Sequence, residues 1–254
     1  MICWVVERAL AARNLTRAIV ATDDERIFEA VNSAGHEVVM TRRDHASGTD
    51  RIAEVAAGLE EADIIVNIQG DEPLVSPLTI EAAVDAITEW GTGEKGNGAR
   101  ETEGVGIVTT WEPMETAADV LNPDVVKIVV DETGSTVYFS RSPVPYPRDA
   151  MRRYGSLALA LQEEPTLLAG FRKHTGLYVY RRDVLLAFAK WPQSDLERAE
   201  SLEQLRALEH GVRIKAIQAS TSSIGVDTIE DLERVRAIVE EEQCPTHFSL
   251  SNRG

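Results

Sequence analysis

The residues best placed to do chemistry are carboxylates at the ends of apolar runs. Asn67-Ile68-Gln69-Gly70-Asp71-Glu72-Pro73 follows directly on the apolar stretch Ile64-Ile65-Val66. Carboxyl ends of strands are where open α/β sheets present ligand-binding groups. Gly70 allows close backbone approach there, and Asp71 offers a hard oxygen suited to Mg2+. An acidic turn that only ends a strand uses the same residue types. A second carboxylate, Asp227 in Gly225-Val226-Asp227-Thr228, precedes a helix. Support of that helix's N-terminus is its simplest role. As a pair, Asp71 and Asp227 suggest a cation site, because Mg2+ at a phosphate is held by one or two carboxylates plus phosphate oxygens.

Two further groups of residues suit an anionic, polyhydroxylated ligand. The turn Thr41 to Arg51 carries Ser47, Gly48 and Thr49, whose hydroxyls and backbone N–H groups can hold a nucleotide edge or a phosphate. A capped surface loop has the same composition. Arg141, Arg148, Lys173 and His174 are spread through the second half as positive groups that fit an acidic substrate. Arginine adds a bidentate fork for a carboxylate. Each of them serves equally as ordinary structural or surface charge. Glu203 and Gln204 fall on a helix predicted over 197–210, pointing about 100° apart.

These candidates need a scaffold, and the hydrophobic pattern supplies one. Helices are predicted over 1–14 and 25–34, with Gly35 as a stop, and strands at 18–21 and 37–40. Thr49 or Asp50 is a candidate cap for the helix running toward Leu59, and Asp63 to Ile68 reads as the clearest central strand. Ser76-Pro77 has the form of a helix start. Strands follow at 105–110, 125–130 and 136–140, then near 171–180 and at 212–218, with a helix near 181–189. Pro143, Pro145 and Pro147 forbid a ladder between them. Thr228 and Asp231 have capping-box spacing for a last helix. Gly91 to Gly106 reads as an exposed loop and the tail from Cys244 as poorly anchored. The alternation predicts one α/β domain over 1–254, with a mostly parallel, Rossmann-like sheet flanked by helices.

Composition narrows the ligand. With 42 acidic against 26 basic residues the formal charge is -16, which argues against a nucleic-acid backbone as partner. Cys3 and Cys244 form neither a metal-spaced cluster nor a disulfide framework. No uncharged run approaches the roughly 18 residues that span a bilayer, so the expectation is a cytoplasmic protein without integral membrane contact.

In order and spacing, several segments together resemble the 3-deoxy-manno-octulosonate cytidylyltransferase family. They are His45-Ala46-Ser47-Gly48-Thr49-Asp50-Arg51, Val66 to Pro73, Phe139-Ser140-Arg141, Lys173-His174-Thr175-Gly176-Leu177-Tyr178, Leu202-Glu203-Gln204-Leu205-Arg206 and Gly225-Val226-Asp227-Thr228. The resemblance runs from residue 2 to about 240. It implies a glycosyltransferase-A-like nucleotidyltransferase that moves CMP from CTP to an acidic octulosonic sugar with Mg2+. It assigns Asp71 and Asp227 to the metal and catalysis. Ser47, Gly48, Thr49, Gln69 and Gly70 fall to the nucleotide, and Arg141, His174, Glu203 and Gln204 to the sugar acid. Residues 139–180 resemble a sugar-binding region that also contributes to a homodimer. A cytidylyltransferase for a related acidic sugar, or a noncatalytic sugar-nucleotide-binding homologue, has the same landmarks. Against the family pattern the chain begins after an apolar strand and a basic, glycine-bearing loop. The expectation is therefore an N-terminally incomplete domain with exposed strand edges and little CMP transfer of its own.

Overall fold

The computed structural model describes residues 1–91, 104–226 and 228–243, with side chains through Glu240. Helix α1 (Ile2–Leu10) leads to β1 (Ile19–Thr22), α2 (Glu25–Ser33) and β2 (Glu37–Met40). The Asp24 carboxylate caps α2 by accepting from the N–H groups of Arg26 and Ile27, and Gly35 turns the chain back at φ +79°. Helix α3 (Gly48–Ala57) is capped by Ser47, which accepts from Asp50 N–H; the cap therefore lies two residues before the predicted Thr49. Strand β3 (Ile64–Asn67) and α4 (Pro77–Gly91) complete the first half.

The second half runs β4 (Ile107–Pro113), α5 (Ala117–Leu121), β5 (Lys127–Val130), β6 (Thr136–Ser140), α6 (Arg148–Tyr154), α7 (Leu157–Glu163) and a 3-10 turn at Pro165–Gly170. It continues through β7 (Arg172–Arg181), α8 (Arg182–Phe188), α9 (Asp195–Glu200), α10 (Gln204–Glu209), β8 (Ile214–Gln218) and α11 (Ile229–Gln243). The 143–147 proline stretch carries no ladder, as predicted. Thr228 and Asp231 do exchange backbone-to-side-chain bonds, 3.0 and 3.1 Å, at the start of α11. Most of the predicted 91–106 loop, and the tail from Cys244, lie outside the described residues.

The α/β class holds, with the sheet sandwiched by helices, but the strands divide. β1 and β2 form a parallel pair of their own. The other six form one sheet in which β7 runs antiparallel to β3, β4 and β5, while β4 and β8 are parallel. β3, β4, β5 and β8 thus share a direction, and the reversed β7 between them makes most ladders antiparallel rather than parallel. Among the described residues β3, predicted as central, pairs only with β7.

Strand β7 shows why the sheet needs helices on both sides. Tyr178 and Tyr180 pack with Phe188 and Leu205, from α8 and α10. Leu177 and Val179, pointing the other way, pack with Ile80, Ala83 and Ile87 of α4. Side chains alternate across a strand, so a run apolar at every position is buried on both faces.

The helix predicted over 197–210 is broken. Ser201 adopts φ +52°, α9 ends there, and α10 starts at Gln204. A bidentate ion pair, Arg206 Nε to Glu197 Oε2 at 2.7 Å with a second bond from Nη2 to Oε1, ties the two short helices across the break.

Candidate active site

The strand end at β3 delivers Asn67 to Glu72 to one region. Asp71 is exposed, and no described residue donates to its carboxylate. Its backbone carbonyl accepts from Val226 N–H at 2.8 Å, which brings the residue before Asp227 against Asp71. Asp227 itself lies outside the described residues, so the predicted pair is represented by Asp71 alone. Among the described residues no group of three or more His, Cys, Asp or Glu is arranged to hold a metal. One exposed carboxylate nevertheless fits Mg2+, an ion that keeps several waters and takes phosphate oxygens beside one or two carboxylates.

Behind Asp71 the loop is pinned from below. At Gly176 of β7 an added Cβ would come within 3.0 Å of Glu72 Oε1 and 3.1 Å of Gln69 Cγ, so glycine is what lets the loop settle on the strand. Burial pushes the Glu72 carboxyl above the usual range, and the charges of Asp71 and Glu112 add to it. Glu112, buried at the end of β4, accepts from Ser223 N–H at 2.9 Å and lies 3.8 Å from Lys173 Nζ.

A second cluster joins two predicted groups. Thr49 donates its hydroxyl to Glu203 Oε1 in a short hydrogen bond. Glu203 Oε2 is buried with no partner among the described residues. Burial therefore raises the Glu203 carboxyl, against the bond from Thr49. The break at Ser201 creates this arrangement. It places Glu203 at the N-cap position of α10, where it faces the 47–49 turn. Gln204 is buried alongside.

His174 joins this wall through a chain of ring contacts. Its centroid is 5.3 Å from Tyr178, which lies 5.8 Å from Tyr180, and Phe139 meets it edge-on at 5.0 Å. The Thr109 hydroxyl donates to Leu177 O at 2.9 Å and contacts His174 Nε2 at 2.9 Å. Having spent its proton on the carbonyl, Thr109 accepts from Nε2–H, and Nδ1 is left as an acceptor. Burial lowers the imidazole pKa to about 3. His174 is thus a neutral acceptor rather than the positive group predicted.

Arg141 is committed to the backbone. Its guanidinium donates to Glu200 O at 2.7 Å, Pro123 O at 3.0 Å and Ser201 O at 3.4 Å. A guanidinium carries five N–H groups, so two remain for a ligand. Lys127, unremarked in the sequence, is fully buried beneath it and donates to the carbonyls of Asn122, Val125 and Arg141 at 2.6, 2.7 and 2.9 Å.

A family profile described as cytidylyltransferase matches residues 1–214. The chain belongs to the cytidylyltransferase family. It is 46% identical to a 3-deoxy-manno-octulosonate cytidylyltransferase of Solibacter usitatus, across 92% of this chain and 82% of that protein. A protein of the same name from Geotalea uraniireducens is 47% identical, over 92% and 86%. Among solved structures, a CMP:2-keto-3-deoxy-manno-octonic acid synthetase complexed with CTP superposes with a TM-score of 0.79 at 38% identity, covering 95% of this chain and 88% of that one. A 4-diphosphocytidyl-2C-methyl-D-erythritol synthase from Anaerococcus prevotii shares the fold at 12% identity, TM-score 0.54, over 94% and 85%.

Within this cytidylyltransferase domain, Ser47, Thr49, Glu203 and His174 come to one wall, and Gln69, Gly70 and Asp71 to the adjoining strand end. Gly48 opens α3 beside them. Sequence reasoning missed Glu72, Glu112 and Lys127. Glu72 stands beside Asp71 in the chain and was legible as a candidate. Lys127 was not, since one lysine in an apolar run does not announce three carbonyl partners.

Proposed function

We propose that this chain transfers CMP from CTP to the anomeric hydroxyl of 3-deoxy-manno-octulosonate, forming CMP-3-deoxy-manno-octulosonate and pyrophosphate. The CTP-bound synthetase whose sequence and fold it shares carries this reading. The substrate hydroxyl forms the new bond to the α-phosphorus as the bond to the pyrophosphate oxygen breaks in line. Glu203 Oε2, buried without a partner among the described residues, is the acceptor for a sugar hydroxyl. His174 Nδ1 is a second, neutral acceptor, and the two remaining N–H groups of Arg141 suit the sugar carboxylate. Ser47, Gly48, Thr49, Gln69 and Gly70 take the nucleotide. Asp71, with Asp227, would hold Mg2+, which when bound supplies charge neutralisation at the phosphates.

The same reading places the protein in the cytoplasm, making the activated sugar for lipopolysaccharide assembly. Among the described residues no helix is long and apolar enough to cross a membrane. A homodimer formed through residues 139–180 is part of the proposal; the exposed Tyr146 and Leu159 in that region favour it. The test is pyrophosphate release from CTP with Mg2+ and the octulosonic acid, alongside sialic acids. Preference for the octulosonic acid is expected. Preference for a sialic acid would keep the class and overturn the substrate, and no release with any acidic sugar would favour a noncatalytic binding protein.

A further inference from the structure

Lys127 carries a charge that packing does not explain. It opens β5 fully buried, and its Nζ donates to the carbonyls of Asn122, Val125 and Arg141 at 2.6, 2.7 and 2.9 Å. A neutral amine has two N–H donors and an ammonium three, so three carbonyl partners specify the charged form. Taking an ammonium out of water is costly, and an aliphatic side chain of the same length fills the space without that cost. The identity of the carbonyls says what the charge does. Asn122 and Val125 bracket Pro123, whose own carbonyl accepts from Arg141 Nη1 at 3.0 Å, and the third carbonyl belongs to Arg141 itself. Lys127, the 122–125 loop and Arg141 thus close a ring of hydrogen bonds. The next carbonyl along, that of Val126, accepts from His174 N–H at 2.8 Å, so the same segment also reaches the neutral acceptor of the sugar wall.

We propose that Lys127 is a positioning residue for the sugar carboxylate, acting through Arg141. Arginine has a long, flexible side chain, and ordering it at the moment of binding costs affinity. A guanidinium already tied to the carbonyls of Glu200, Pro123 and Ser201 has lost that freedom beforehand, with its two uncommitted N–H groups aimed by the ties. The Glu200 and Ser201 carbonyls are held by the end of α9, and the Pro123 carbonyl by the loop that Lys127 grips. Without the ammonium the carbonyls of Asn122, Val125 and Arg141 lose a donor in common, and the Pro123 contact shifts with the loop. Lys127 itself touches no ligand. The inference deepens the proposed CMP transfer and rests on Arg141 taking the sugar carboxylate, but its test needs no turnover.

Binding of 3-deoxy-manno-octulosonate to the full 254-residue chain is measured by ligand-observed NMR, with CTP present and Mg2+ withheld so that no transfer occurs. The carboxamide of the same sugar, neutral where the acid is charged, is the comparison ligand. Wild type, Lys127→Met, Arg141→Lys and the double variant are titrated with each. Expected for Lys127→Met is about tenfold weaker binding of the acid, a change under about twofold for the carboxamide and for CTP, and no further loss on top of Arg141→Lys. A lysine that only supported the fold would weaken all three ligands alike, and that result overturns the proposal. Lys127→Gln, which keeps two donors, is read in the same way if the methionine variant does not unfold cooperatively in urea; loss of the fold in both also overturns it. An acid affinity that falls in Arg141→Lys but not in Lys127→Met overturns the inference and leaves Arg141 its role. An acid affinity unchanged in both, or no binding of the acid by wild type, removes the carboxylate reading of Arg141 and the inference with it.

Discussion

His174 makes stability depend on pH with a sign and size that the geometry sets. Its ring packs against Phe139 and Tyr178, and burial lowers its pKa to about 3, against roughly 6.5 in an unfolded chain. Between those values the unfolded chain holds a proton that the folded one refuses, so stability falls as pH drops below about 6.5 and the loss saturates near 3. At roughly 1.4 kcal/mol per pH unit, this corresponds to a loss of about 2 kcal/mol between pH 7.5 and 5. Many carboxylates titrate in the lower part of that range, so the measurement is a difference. Urea unfolding of wild type and His174→Gln is compared at pH 7.5, 6.5, 5.5 and 5. The wild type should lose about 2 kcal/mol relative to the variant by pH 5. An NMR titration should show His174 still neutral at pH 5. A constant gap between the proteins, or a His174 midpoint near 6, refutes the neutral ring and with it the acceptor role of Nδ1.

The other predictions concern α9 and α10. Glu203→Gln should lower kcat/KM for the sugar acid by about a hundredfold without lowering Tm, because the carboxylate with its unpartnered oxygen is costly in the absence of ligand; unchanged steady-state kinetics would remove Glu203 from the site. Arg206→Met leaves Glu197 buried and unpaired and should cost about 3–5 kcal/mol in chemical denaturation. The double variant Arg206→Met/Glu197→Leu should recover most of that loss, and a purely additive double variant would show that the pair is not coupled.

How far the chain could be read in advance tracks how local the information is. Continuous apolar runs such as Leu177 to Tyr180 and caps such as Thr228 with Asp231 announce themselves within a few residues, and their elements lie where predicted. Sheet partners are set by distant segments. Nothing within Asp63 to Ile68 says that β7 will be its one neighbour, and an apolar strand reads as central even when one edge faces a cleft. Ser47, Thr49 and Glu203 were legible as candidates through motif order, but the meeting of Thr49 with Glu203 was not, being a contact across 154 residues. The charge of His174 was misread for the same reason. A histidine between lysine and threonine looks cationic until the rings around it are known.

The break at Ser201 unites most of what the sequence left separate. An unbroken helix over 197–210 would satisfy the carbonyls of Glu200 and Ser201 within itself and leave Arg141 without them. Ending α9 there turns those carbonyls outward to the Arg141 guanidinium, whose own carbonyl in turn receives Lys127. The same turn swings Glu203 to the head of α10, against Thr49. A left-handed serine and a buried carboxylate are both unfavourable in isolation. The Arg206–Glu197 pair stabilises the fold around them, linking the helices on either side. The break therefore holds, in one strained turn, the candidate sugar-hydroxyl acceptor and the candidate carboxylate donor, so that shifting α9 against α10 would move both together.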